Sequence, residues 1–176
     1  MSDVNQLQVP LERDVFLRRL LRVLSGTLQD VVGTDDTAGY ISVVGAAMGE
    51  QIDGDYRQAL NVDRLSRQQV AEVMVDLKRR IQGDFYVIEE TDDRIVLGNR
   101  ACPFGEMVRD RPSLCMMTSN VFGHIAAQNL GYAGVELQET IAQGHPGCRV
   151  VVHLRPDESG HRSGLREYFR QDDDGA

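Results

Sequence analysis

Apolar and polar positions along the chain follow two rhythms, one near 3.6 residues and one near 2. From Leu11 to about Val32, Leu17, Leu20, Leu21, Leu24, Leu28 and Val31 recur at three- and four-residue steps, which predicts an amphipathic helix. Gly33-Thr34-Asp35-Asp36 is expected to stop that helix and cap a second one over Thr37 to Leu60. Gly45 and Gly49 lie one turn apart there and offer a smooth strip for close approach of another helix or a ligand. A third helix follows Ser66, with Gln69 completing a capping box and Leu65 and Val70 in the positions of a hydrophobic staple. Its apolar face reads Val70, Val73, Met74, Leu77 and Ile81, and Gly83 is the expected left-handed stop.

The rhythm then changes. Asp84 to Glu90 and Arg94 to Leu97 are rich in aromatic and β-branched residues around the turn Thr91-Asp92-Asp93, the pattern of a β-hairpin. Pro112-Ser113 opens a fourth helix, which Gly131 ends near Leu130. A second hairpin is predicted from Val135 to Ala142 and from Cys148 to Leu154, across Gln143 to Gly147. The fold class is therefore α+β: an antiparallel sheet from two hairpins, packed against about four helices. Residues 1–10 read as a flexible lead, 11–156 as one domain, and 157–176 as a polar, disordered tail. In that tail Leu165, Tyr168 and Phe169 could dock as one helical turn.

The length of 176 residues fits one domain. There is no membrane span and no signal peptide, so a cytoplasmic protein is expected. A net charge of −8 is a poor field for nucleic acid, whose binding draws on Lys and Arg. The clusters Arg18, Arg19, Arg22 and Lys78, Arg79, Arg80 read as solvated helix faces, as do the acids Glu50, Asp53 and Asp55.

The candidate chemistry lies in the cysteines. Their odd number argues against a disulfide framework. Cys102 follows the end of a strand, Cys115 sits in the first turn of a helix where the dipole favours a thiolate, and Cys148 opens a strand. Residues at element ends can converge on one point. Three thiolates suit zinc, with His145 or His124 as a fourth ligand, or an iron–sulfur cluster, and the spacing does not choose between them. No acid–base pair accompanies the thiols and no hydrolase or phosphate-loop motif is present, so catalysis is not expected. An alternative function is binding of a small apolar or aromatic ligand, in a pocket lined by Tyr40, Val44, Met48, Phe85, Met117, Val121 and Phe122. The Leu17–Val31 stripe predicts a homodimer that buries this helix against its mate.

Four segments carry a resemblance to a known family: Asp76 through Phe85, Arg100-Ala101-Cys102-Pro103-Phe104-Gly105, Leu114-Cys115-Met116-Met117, and Gly144 through Cys148. Over roughly residues 11–156 the chain resembles a stand-alone methanogen-output-type signalling domain. It is distantly similar to 4-vinyl-reductase-type sensor domains, which bind small apolar molecules and hold zinc through cysteines. It is similar also to the effector half of suf-type repressors, which carry an iron–sulfur cluster. The resemblance implies that Cys102, Cys115 and Cys148 ligate the metal or cluster, and the expected function is a sensory module whose iron–sulfur cluster or metal ion reports redox, oxygen or metal status to a partner protein. The repressors' winged helix–turn–helix has no counterpart here, so direct DNA control is not implied. Their further cysteine upstream of Cys-Pro-Phe is also missing, since Leu97-Gly98-Asn99 occupies that place.

Overall fold

The computed structural model describes residues 12–156 and 164–171. The helices are α1 (Arg13–Val32), α2 (Thr34–Leu60), α3 (Arg67–Arg80) and α4 (Cys115–Leu130). The strands are β1 (Phe85–Glu90), β2 (Arg94–Asn99), β3 (Tyr132–Glu139), β4 (Cys148–His153) and β5 (Arg166–Phe169).

Local chemistry sets most of these boundaries. Ser66 Oγ accepts from Gln69 N–H while the Gln69 side chain accepts from Ser66 N–H, so the capping box that opens α3 is complete. The C-terminal stop differs from expectation. Gln82, not Gly83, adopts the left-handed conformation, with φ 66°. Gly83 N–H closes the turn on Lys78 O at 2.8 Å, and its missing side chain makes room for Pro103. At the other boundary, α2 begins three residues early because Gly33 itself takes the cap position.

Both predicted hairpins form, β1 with β2 and β3 with β4, and β2 pairs with β4 to join them into one antiparallel sheet. The strand order is β1-β2-β4-β3-β5. The fifth strand corrects the reading of the tail. Residues 166–169 form neither a disordered segment nor a helical turn but an edge strand on β3. Tyr168 is why it docks: its ring lies where a side chain at Gly123 would be, and its hydroxyl shares a hydrogen bond with Ser119 Oγ at 3.0 Å. Residues 157–163 and 172–176 of the tail and the N-terminal lead lie outside the described residues.

Helices α3 and α4 cover one face of the sheet, and α2 packs on the outside of α4. The core between them centres on Phe122, Met74, Ile95, Leu97, Val150 and Val152. The glycine strip of α2 serves the helix–helix approach: a Cβ at Gly45 would meet Asn120 Cβ at 2.7 Å, and one at Gly49 would meet His124 Cβ at 2.8 Å. Between these helices Asp53 is buried, not solvated as the sequence implied. It accepts from Asn129 Nδ2 at 2.6 Å and Arg57 Nε at 2.8 Å. Among the described residues no helix is long and apolar enough to cross a membrane.

Candidate functional site

The sheet register brings the cysteines together. Cys148 is the first residue of β4 and stands opposite Asn99, the last of β2. Three residues beyond Asn99 the chain turns through Cys102, held by a 2.8 Å bond from Gly105 N–H to Cys102 O. Gly147 permits this convergence, because a Cβ there would lie 2.7 Å from Asn99 O. From the other side, a short helical turn over 112–114 leads α4 inward and presents Cys115. Cys102, Cys115 and Cys148 thus line one small cavity of about 30 Å³, walled by Asn99, Phe104, Val108, Thr118 and Thr140 among others. All three are free thiols and partly buried.

Each sulfur meets hydrogen-bonding groups. Cys148 Sγ accepts from Ile141 N–H at 3.5 Å and from Asn99 Nδ2 at 3.6 Å. The N–H groups of Phe104 and Gly105 face Cys102, and the Thr140 hydroxyl contacts Cys115. Burial nevertheless pushes the Cys102 thiol up, and it pushes Cys115 up to about 12 with the help of the neighbouring sulfurs Cys148 and Cys102. The expectation that the helix dipole favours a Cys115 thiolate is thereby corrected: the turn over 112–114 already occupies the Cys115 N–H, and desolvation outweighs the rest.

Lys78 belongs to a basic run whose pattern predicts a solvated helix face, yet it is only 5% exposed. Its Nζ donates to Thr118 Oγ1 at 2.8 Å and lies 5.4 Å and 5.3 Å from the ring centroids of Phe85 and Phe122. Burial lowers its pKa to about 8, and the three cysteines act in the opposite direction, as thiolates would. No carboxylate among the described residues forms an ion pair with it, and the neighbouring sulfurs would balance its charge only once ionised. A signal was present in the sequence: Val70, Met74 and Lys78 follow one another at four-residue steps on one face of α3. Ile81, expected on that face, is 52% exposed instead.

The predicted fourth ligands are not at this site. His145 is exposed in the β3–β4 connection, outside the cavity lining. His124 lies further along α4, in a polar cleft with Glu50, Asp53 and Arg57, where burial lowers its pKa. Among the described residues no three His, Cys, Asp or Glu side chains form a group that could hold a metal ion as they stand. In donor chemistry the triad fits a soft ion, since it offers three thiols, N–H groups aimed at sulfur and a cavity of an ion's size.

The expected ligand-pocket residues separate. Met48, Met117 and Val121 line an apolar groove of about 520 Å³ between α2, α3 and α4, together with Ile52, Tyr56 and Leu77. Phe122 is sealed in the core, Phe85 faces the cysteine cavity, and Tyr40 and Val44 point to solvent.

The chain belongs to the methanogen output domain 1 family, whose pattern matches residues 20–153. No curated protein shows a sequence match to it. Among solved structures its fold is similar to the phenol-responsive sensory domain of the transcription activator PoxR with phenol. The TM-score is 0.62 at 15% identity, over 84% of this chain and 77% of that one. It is similar also to a trafficking protein particle complex subunit 3 from Naegleria fowleri covalently bound to palmitic acid, with TM-score 0.54 and 14% identity over 89% and 99% of the two chains. A third likeness is to an Fe(II) unliganded H-NOX protein mutant from K. algicida, with TM-score 0.54 and 13% identity over 86% and 80%.

Proposed function

We propose that this output domain is a sensory module that binds a soft metal centre through the thiolates of Cys102, Cys115 and Cys148 and reports its state to a partner protein. One observation carries the reading: three thiols from three separate elements line one cavity beside a buried lysine that has no carboxylate partner among the described residues. A metal cation would convert the thiols to thiolates and draw together the ends of β2, α4 and β4. Its loss would free the loop after Cys102, which is the two-state element such a sensor needs. With neither histidine lining the cavity, the fourth position is left to an exchangeable ligand. The reading assigns no catalysis.

The small cavity favours a single ion such as zinc over an iron–sulfur cluster, and composition separates the two. Protein purified without oxygen should carry one soft metal per chain. A colourless, sulfide-free sample with zinc identifies the single ion, whereas colour with iron and sulfide identifies a cluster. Protein that is metal-free and takes up neither zinc nor cadmium ends the proposal.

The groove between α2, α3 and α4 supports a second reading, in which a small apolar or aromatic molecule is the signal. Its volume of about 520 Å³ lies in the range of small-molecule sites, and apolar side chains line most of it. The likeness to a phenol-responsive sensory domain favours an aromatic ligand. A thermal-shift screen of phenols and other aromatics against metal-loaded protein tests it. No shift at saturating ligand removes it.

A further inference from the structure

We infer that α1 and the adjoining first half of α2 form a two-fold interface with a second copy of this chain, α1 packing antiparallel against its mate. The inference does not depend on what the cysteines bind.

The first observation is an inverted helix. A surface helix ordinarily turns its apolar stripe to the core. In α1 the buried residues are Ser25 and Gly26, where Gly26 lies against the Arg111 guanidinium. The inward side also sends Arg22 Nη1 to Met107 O at 2.7 Å and Arg109 O at 2.8 Å. The stripe points outward: Phe16, Leu17, Leu20, Leu24 and Val31 are between 46% and 75% exposed. Helix α2 repeats the inversion. Its inward residues are Thr37, Ile41, Gly45, Gly49 and Asp53, of which only Ile41 is a large apolar side chain, while Tyr40, Val43 and Val44 stand 57%, 72% and 52% exposed.

Extent gives the second argument. Leu21, Val23 and Met48 of the same two helices are exposed as well. So many large apolar side chains left uncovered on two neighbouring helices exceed the singly scattered apolar residues of an ordinary monomer surface.

Charge identifies the occupant. The first half of α1 carries Arg13, Arg18, Arg19 and Arg22 against Asp14 and the N-cap Glu12 and is net basic, while exposed Asp30, Asp35 and Asp36 lie at its far end and just beyond. An antiparallel mate sets each basic half beside the other's acidic end, so the surface is complementary to itself, as a two-fold interface requires. The same acids disfavour an anionic membrane surface.

Light scattering of the full chain should give twice 19.6 kDa at micromolar concentration. A mass of 19.6 kDa at all concentrations overturns the inference. Leu24→Glu and Val43→Glu should each yield folded monomers. Should both misfold, hydrogen exchange of the wild type decides: protection over residues 16–31 should fall on dilution, and a dimer whose α1 exchange ignores dilution overturns the assignment. Arg19→Asp and Asp30→Arg should each weaken the dimer several-fold, and their mixture should re-form it. A mixture no tighter than either variant alone overturns the antiparallel arrangement.

Discussion

Lys78 Nζ donates a 2.8 Å hydrogen bond to Thr118 Oγ1, and this bond places a buried ammonium at the wall of the cysteine cavity. The lysine reaches it from α3 by passing between the core and the groove that its stem helps to line. Burying a charge without a carboxylate is costly. In the protein's interior that cost is offset by the two aromatic faces, the Thr118 hydroxyl and whatever negative charge the sulfurs carry.

Replacing Lys78 by Met keeps the length and removes the charge. We expect a folded protein of equal or higher stability at neutral pH, since a buried ionic group gives way to apolar packing. Metal affinity should fall by about tenfold or more, because the thiolates lose their neighbouring cation. The wild type should also gain stability relative to the variant as pH rises from about 8, because folded Lys78 releases its proton before the unfolded chain does. Chemical denaturation of both proteins across this range checks the slope, and parallel curves would exclude a buried ammonium.

Cys148→Ser should abolish stoichiometric metal while leaving the sheet intact, because Ile141 N–H and Asn99 Nδ2 can still donate to the serine oxygen. Metal analysis beside circular dichroism reads both. Full metal occupancy in the variant would remove Cys148 from the ligand set.

Metal affinity should rise steeply with pH. Burial holds the Cys102 and Cys115 thiols above their ordinary range, so at neutral pH binding must expel their protons. Each proton released gives about a tenfold gain in affinity per pH unit. Competition against a zinc chelator at two pH values, with proton release followed by calorimetry in different buffers, measures it. A flat profile would mean that the thiols are already ionised.

Asp76 anchors α3 to α2. Its carboxylate accepts from Tyr56 Oη and Arg80 Nε, both at 2.6 Å, and these bonds hold it below the usual carboxylate range. Its stabilisation is therefore present above the unfolded carboxyl pKa and lost as pH falls through the lower folded value. Asp76→Asn should cost about 1–2 kcal/mol at neutral pH. The difference from wild type should shrink on acidification. Urea midpoints at neutral and acid pH give both values.

Ser66→Ala removes the N-cap of α3 and should cost about 1 kcal/mol. Metal content should stay at the wild-type level. A matching loss of metal would show that global stability, not ligation, sets occupancy.

The sequence carried the parts of this protein that depend on neighbours along the chain. The Ser66–Gln69 box, the Thr91–Asp93 turn and the Gly131 stop are chemistry within a few residues, and each stands where the pattern put it. The convergence of the cysteines was also legible, because a strand end, a helix start and a strand start are places from which short side chains can meet. What escaped depends on partners distant in the chain. Tyr168 becomes part of a strand only because Gly123, forty-five residues earlier, leaves a hollow for its ring. His124 follows the α2–α4 contact toward Asp53 and away from the sulfurs. Lys78 is buried because α4 supplies Thr118 and Phe122 above it. The stripe of α1 has the same period facing in or out. The packing of Gly26 against Arg111, the bonds of Arg22 to the 107–109 backbone and the contact with α2 turned it outward, because periodicity fixes which residues share a face, and tertiary contacts decide what that face meets.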